Sequence, residues 1–265
     1  MPETPEVTYL RNYIHKHCYG NILKDVNILK GRYINHGPPA NFTEFRKCLP
    51  LKLTDVTKKG KVIFLYFGEW CLISKLGMTG WWFVPGDEPD WHASTENIKL
   101  HFANTDLIFS DFRNFGTLTI TKNKEQIQKE LNAIAPDILD KNTTFSMIKD
   151  RISNLKKDSL LEEVIVDQKL IFSGIGNYLK AEVLYAAKIS PLRKINTLTI
   201  DDWKKIFTVG KKIAKYMLKM TSMSSDKYIN SMKIYRRSKD PLGNIVKTHT
   251  TKTGRTTYWC PAIQI

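Results

Sequence analysis

Apolar residues change their spacing along this chain, and each change marks an element. Val7, Leu10, Ile14 and Cys18 recur at helical intervals, and Gly20 closes the run. Thr4-Pro5 supplies the start, a capping-type residue followed by proline at the first helical position. From about residue 21 to 121 the pattern turns β-like. Lys61–Phe67 and Trp70–Leu76 are apolar, β-branched or aromatic runs separated by Gly68-Glu69, which predicts a hairpin. Ile98–Ala103 and Leu107–Phe109 repeat that arrangement around Asn104-Thr105. Short strands with frequent turn signals predict a sandwich or flattened barrel packed by the first helix.

Residues 121–141, rich in Lys, Asn and Asp and holding Pro136, read as a connection. Beyond them the helical period returns. Phe145, Ile148, Ile152 and Leu155 form one stripe, and Leu160, Leu161, Val164 and Ile165 a second. Trp203, Ile206, Phe207, Ile213 and Met217 predict a longer helix, opened by Thr199 with Asp202 three residues later. β character resumes from Lys233, around Pro241-Leu242-Gly243-Asn244 and Thr253-Gly254. The expected fold is α+β. It comprises a helix plus antiparallel β-sandwich at 1–121, a linker at 122–141, a helical domain at 142–232 and a β-hairpin at 233–265.

Charge changes this picture from a fold to a partner. The chain of 265 residues carries 41 Lys and Arg against 26 Asp and Glu, a formal charge of +15. With six Trp, eleven Tyr and twelve Phe, that balance points to a polyanion that is both neutralised and stacked against. Nucleic acid fits better than a membrane surface, because no apolar run approaches the length of a membrane span. Cys18, Cys48, Cys71 and Cys260 are scattered without a CxxC pair, which predicts a reducing compartment and no structural zinc. No secretory leader is recognisable, so an intracellular, non-secreted protein is expected, acting as a monomer.

The candidate chemistry begins at Met1-Pro2-Glu3 and Glu6. Removal of the initiator methionine would expose the secondary amine of Pro2. An α-amino group titrates near 7.7–8.0, against about 10.4 for lysine, so a useful fraction is an uncharged nucleophile at neutral pH. Such amines attack sugar or carbonyl carbons through Schiff bases, with Glu3 and Glu6 available as proton donor and positioning group. On these residues alone, an ordinary Met-Pro start with surface glutamates remains the competing reading.

The most specific segment is Gly174-Ile175-Gly176-Asn177-Tyr178-Leu179-Lys180-Ala181-Glu182. Glycines before a helix N-terminus let the backbone approach a phosphate, whose charge meets free N–H groups and the helix dipole. With the N-terminal Pro2-Glu3 and Glu6, with Lys61 after Lys58-Lys59-Gly60, and with Asp111-Phe112-Arg113-Asn114-Phe115-Gly116, it forms an ordered set. That set resembles the formamidopyrimidine-DNA glycosylase / endonuclease VIII family of base-excision repair enzymes nearly end to end. The segment from Asp167-Gln168 to Asn177 resembles the family's helix–two-turn–helix.

The resemblance implies roles. Pro2 would attack C1′ of a flipped-out damaged nucleotide, since such enzymes extrude the base to reach it. Glu3 would protonate the opening sugar and shuttle protons during β,δ-elimination. Glu6 would orient the amine, and Lys61 would hold a phosphate beside the lesion; without the resemblance Lys61 reads as one more solvated lysine. Met78, Arg113 and Phe115 would fill the void left by the flipped base, although Met78 and Phe115 also suit core packing. Asn177, Gly174, Gly176 and Arg255 would contact the DNA backbone.

Two departures refine the expectation. Many family members close with a four-cysteine zinc finger, but here only Cys260 stands in the matching region, so a zincless β-hairpin with no metal and no cofactor is expected. The long Gly- and Thr-rich loop that caps 8-oxoguanine in formamidopyrimidine-type members is not recognisable in Thr221–Met232. That favours endonuclease VIII-like substrates, oxidised pyrimidines and hydantoins, in duplex or single-stranded damaged DNA. A non-catalytic damaged-DNA-binding protein on the same scaffold is the alternative, and a basic single-strand binder is a third.

Overall fold

The computed structural model describes residues 2–88, 95–223 and 225–265. They fall into two compact units, Pro2 with Glu6–Asn132, and Glu3–Pro5 with Ala133–Ile265.

The first unit takes α1 (Thr4–Cys18) from Glu6 on, and the helix's last turn carries His15, Lys16 and His17 where positive charge suits the helix dipole. Its Val7, Leu10, Ile14 and Cys18 are fully buried. There follow β1 (Ile22–Ile28), two short helices α2 (Arg32–Asn35) and α3 (Phe42–Lys47), β2 (Leu51–Lys52), β3 (Asp55–Lys59), β4 (Val62–Phe67) and β5 (Trp70–Lys75). The remaining strands are β6 (Trp81–Phe83), β7 (Ile98–Phe102), β8 (Asp106–Ser110) and β9 (Thr117–Thr121).

One sheet has the order β2-β1-β7-β8-β6 and the other β3-β4-β5-β9, with antiparallel neighbours throughout. Both sheets line one core: Leu23, Val26, Leu100 and Ile108 from the first meet Ile63, Leu65, Leu72 and Ile120 from the second, with α1. The unbroken apolar runs of β4 and β5 belong to central strands buried on nearly every residue, whereas β7 alternates buried and half-buried positions.

The expected linker is partly a helix. Residues 124–132 form α4 (Lys124–Asn132), started by Asn123 Oδ1, which accepts from the Glu125 and Gln126 N–H groups at 2.9 and 3.1 Å. Lys75 Nζ pairs with Glu130 at 2.8 Å, and Lys59 Nζ donates to the Leu131 carbonyl at 2.8 Å, so the helix is tied to the sheet unit. Its apolar pattern is too sparse to announce a helix. The fastening comes from lysines distant in sequence.

The second unit holds α5 (Phe145–Ser153), α6 (Leu161–Val164), α7 (Asn177–Ala187), α8 (Ile200–Thr221) and α9 (Ser225–Asn230). A hairpin of β10 (Lys247–Thr250) and β11 (Thr256–Trp259) ends it. α8 carries the capping box expected from Thr199 and Asp202. α7 is buried nearly all round, including Lys180 and Glu182, which marks it as the unit's central helix. The Glu182 carboxylate accepts from the N–H groups of Lys233, Ile234 and Tyr235 at 2.9, 3.0 and 2.9 Å, anchoring the entry to the hairpin.

At the base of the hairpin, Asp240 organises the turn. It accepts from the Leu242 and Asn244 N–H groups (2.9 and 2.8 Å), the Asn244 side-chain amide (3.0 Å) and the Tyr185 hydroxyl (3.0 Å). Cys260 is buried beside it, with Sγ 3.7 Å from Asp240 Oδ2. Among the described residues no group of three or more His, Cys, Asp or Glu is arranged to hold a metal ion, and no helix is long and apolar enough to cross a membrane.

The aromatic residues are largely structural. Trp70, Trp81, Trp82 and Trp203 are buried, and among the described phenylalanines the large exposed ones are Phe112 and Phe115. Stacking on a nucleic acid is therefore a property of a few side chains rather than of the composition.

Candidate active site

Glu3 is the best-defined of the expected catalytic residues. Its carboxylate is 1% exposed and sits at the N-terminus of α7. Oε2 accepts from the Gly176 N–H at 2.6 Å and the Leu179 N–H at 3.2 Å, and Oε1 accepts from the Tyr178 N–H at 3.0 Å. Those donors are the orphan amides of a helix start, and an ionised carboxylate is the acceptor that suits both them and the dipole. The next residue, Thr4, donates its N–H to the Gly174 carbonyl at 2.9 Å and its hydroxyl to Asp137 at 3.1 Å.

The amides of Gly174 and Gly176, expected beside a phosphate, are engaged within the protein. The Gly174 N–H is donated to Gln168 Oε1 at 2.7 Å and the Gly176 N–H to Glu3, so neither amide is free. Gly174 is required for another reason. Its φ is +100°, and a Cβ there would lie 2.5 Å from that of Thr4. The glycines let the N-terminal segment reach α7. Gln168 secures the turn by also donating from Nε2 to the carbonyls of Val166 (2.7 Å) and Ile175 (2.8 Å).

Asn177, the first residue of α7, donates from Nδ2 to the Thr256 carbonyl at 2.9 Å, while its Oδ1 is buried and meets no donor. One turn on, Lys180 is fully buried and donates to Thr257 Oγ1 at 2.6 Å. Burial pulls the Lys180 ammonium down to about 8, an effect opposed by Glu162, reinforced by Arg255 and opposed again by Glu3. Arg255 itself is exposed, at the foot of β11.

In the sheet unit the three expected void-filling residues share one scaffold. Met78 is half-buried on the turn after β5, and Arg113 and Phe115 are exposed on the loop between β8 and β9. The Arg113 guanidinium lies over the Phe115 ring at 4.9 Å. Asp111 holds the two loops together. One oxygen accepts from the Thr79 hydroxyl and the other from the Gly116 N–H at 2.5 Å. Asn97 accepts from the Asp111 N–H at 2.6 Å and donates to Asn114 Oδ1 at 3.0 Å, supporting a left-handed Asn114 with φ of 57°. Gly77, with φ of +62°, passes so close that a Cβ would lie 2.6 Å from Gly116 N.

Pro2 is buried just before α1, and Glu6 is buried in its first turn. Lys61 is half-buried at the β3–β4 turn, directly after Gly60 with φ of 55°. Thr79, Asn97 and Lys180 were not singled out from sequence. Lys180 lies within the Gly174-to-Glu182 segment that marked the helix start, whereas Thr79 and Asn97 carry no local signal.

Three consecutive family models match the chain. The formamidopyrimidine-DNA glycosylase N-terminal domain matches residues 1–118, the H2TH domain residues 134–228 and the C-terminal domain residues 225–265. Together they define a DNA glycosylase of the helix–two-turn–helix class. Among curated proteins, the formamidopyrimidine-DNA glycosylase of Bacillus cereus is 26% identical over 100% of this chain and 99% of its own length. That of Listeria monocytogenes is 28% identical over 100% of both chains. A crystal structure of the Lactococcus lactis enzyme, bound non-covalently to DNA containing an abasic site, superposes with a TM-score of 0.83 at 23% identity, covering 99% of each chain. A structure of MutM with DNA carrying carbocyclic 8-oxo-G also gives 0.83 at 23% identity, covering 100% of both. The chain belongs to the formamidopyrimidine-DNA glycosylase / endonuclease VIII family.

Proposed function

We propose that the protein is a bifunctional glycosylase and abasic-site lyase acting on damaged DNA through Pro2. The proline nitrogen would bond to C1′ as the damaged base departs, forming a Schiff base with the opened sugar, and β,δ-elimination would then cleave the strand. Glu3 carries the proposal. A nearly inaccessible carboxylate adjoins the proposed nucleophile in sequence and is held by three backbone N–H groups, so its position is fixed before substrate arrives. Glu6 would orient the amine and Lys61 would take a phosphate near the lesion.

Arg113 and Phe115 would enter the gap left by the flipped nucleotide, with Met78 from the neighbouring turn. Their exposure and stacked geometry support this reading. Arg255 on the hairpin would contact the DNA backbone, with Asn177 from the start of α7. The net charge of +15 supports a polyanionic partner.

For the damaged base, we favour oxidised pyrimidines and hydantoins over 8-oxoguanine. The stretch between α8 and the hairpin holds the short helix α9, whose Tyr228 and the following Met232 pack on the helical core, leaving little chain for a long capping loop. Ser224 lies outside the described residues. The relatives' names point to formamidopyrimidine and 8-oxo-G, so the preference must be tested directly.

Borohydride trapping on duplexes carrying thymine glycol, 8-oxoguanine or an abasic site, with a Pro2-substituted control, is the test. The expected result is a covalent adduct with thymine glycol that disappears without Pro2. Stronger trapping on 8-oxoguanine would overturn the substrate preference. Tight DNA binding with no adduct on any substrate would overturn the catalytic reading in favour of a damage-binding protein.

A further inference from the structure

We propose that Lys180 is a positioning residue that fixes the strand bearing Arg255 against α7, and so sets where the arginine meets the DNA backbone. The inference rests on the reading of Arg255 as a phosphate contact.

The geometry behind it is a two-point clamp. Asn177 and Lys180 lie three apart on one face of α7, and they bond consecutive residues of β11: the Thr256 carbonyl at 2.9 Å and the Thr257 hydroxyl at 2.6 Å. Arg255 directly precedes them. Its backbone is closed into a tight turn, with the Thr251 N–H donating to the Arg255 carbonyl at 2.9 Å and the Arg255 N–H to the Thr251 hydroxyl at 3.1 Å. Rotation of β11 on α7 would therefore carry the arginine with it.

The opposite strand approaches α6. His249 pairs with Thr257 across the hairpin, and its Nε2 comes within 3.0 Å of Glu162 Oε1, off the direction of a hydrogen bond. Glu162 is 1% exposed on α6, and its charge faces that of Lys180. Glu3 and Arg255 complete the charged groups around the ammonium.

A buried ammonium is an expensive way to fill space, and an apolar side chain of similar volume is often at least as stabilising there. A methionine at position 180 could pack, but it could not grip Thr257. The lysine is thus explained by what it holds. The opposite charge on Glu162 offsets part of the cost of burying the ammonium.

The test is the salt dependence of binding to a duplex carrying a tetrahydrofuran abasic-site analogue, measured on the full chain. The variants are Arg255→Ala, Thr257→Val, and Lys180→Met combined with Glu162→Gln, so that neither buried charge is left alone. Each clamp variant is also combined with Arg255→Ala. Arg255→Ala should reduce the slope of log K against log salt by about one unit. Thr257→Val and the Lys180→Met pair should reproduce most of that reduction and weaken binding on the order of 10-fold. Neither should weaken binding further once Arg255 is gone.

Clamp variants with the wild-type slope, or with losses that add fully to that of Arg255→Ala, would overturn the positioning role while leaving the Arg255 reading intact. An unchanged slope in Arg255→Ala itself would remove that reading and the proposal with it. Thr257→Val deletes only a hydroxyl, so it remains informative if the Lys180→Met pair folds poorly.

Discussion

Glu3→Gln should loosen the start of α7 as well as impair catalysis. In the native site one carboxylate oxygen serves the Gly176 and Leu179 amides and the other serves Tyr178. Glutamine can keep its carbonyl toward the first pair, but its NH₂ group then faces the Tyr178 N–H, donor against donor. Hydrogen bonds to charged groups contribute about 1.5–3 kcal/mol and neutral ones about 0.5–1.5. Loss of one and weakening of two gives roughly 3–5 kcal/mol, with about 0.3–1 kcal/mol more from the uncompensated helix dipole. Native-state hydrogen exchange reads this locally. Protection of the Tyr178 and Leu179 amides should fall by about 150-fold or more, at about tenfold per 1.36 kcal/mol. A fall of less than tenfold would refute the assignment of Glu3 as the cap. Loss of base excision in this variant tests the proposed acid role only at temperatures where α7 stays protected.

Other expectations follow from the same geometry. Gly77→Ala should destabilise the sheet unit by at least about 1–3 kcal/mol, because the position needs positive φ and has no room for a Cβ; an unchanged melting temperature would refute the close approach. Asp240 is held below the usual carboxylate range: burial works against this, but the Asn244, Tyr185 and Leu242 donors outweigh it. Its contribution is therefore present above about pH 4, where the unfolded group ionises, and is lost as pH falls through the lower folded value. Monitoring the Trp259 indole by NMR, acidification should loosen the hairpin in the wild type, and Asp240→Asn should remove that part of the pH dependence; parallel profiles would argue against Asp240 as the organiser. Asp111→Asn should free the loop bearing Arg113 and Phe115, since an amide cannot accept from both Thr79 and Gly116 with equal strength. Base excision should fall and the Thr117–Thr121 strand should persist, as amide exchange would show.

Local signals in the sequence survive folding almost unchanged. Thr199 and Asp202 act within one turn of each other, and the capping box they announce is present. The β4–β5 hairpin was equally legible, because both strands are buried runs joined by a two-residue turn. β1 and β9 were harder to see, since Ile22–Ile28 mixes exposed and buried positions and Thr117–Thr121 is set by pairing with distant β5. The candidate site divides in the same way. Glycines before a helix suggest an anion, but the anion supplied here is a side chain 173 residues away, a separation that no local pattern reveals. Asn97 and Thr79 are unremarkable polar residues until the fold brings them to Asp111. Asp240 left a usable trace, an aspartate opening the Pro-Leu-Gly-Asn turn, although only the structure shows Tyr185 and Cys260 converging on it.

The fastening of the terminal hairpin to α7 bears on modularity. A single helix supplies Asn177 and Lys180 to β11, Glu182 to the hairpin's entry and Tyr185 to its turn. Gln264, near the chain's last residue, returns to the Ile189 carbonyl just beyond that helix at 3.0 Å. Cut at residue 233 and moved to another scaffold, the hairpin would lose every one of these partners and keep only bonds internal to itself, chiefly its four-residue ladder and the Asp240 turn. It is not a cassette that can be exchanged between proteins. It should melt in one cooperative step with α7, so recombination between relatives would succeed only where the helix travels with the hairpin.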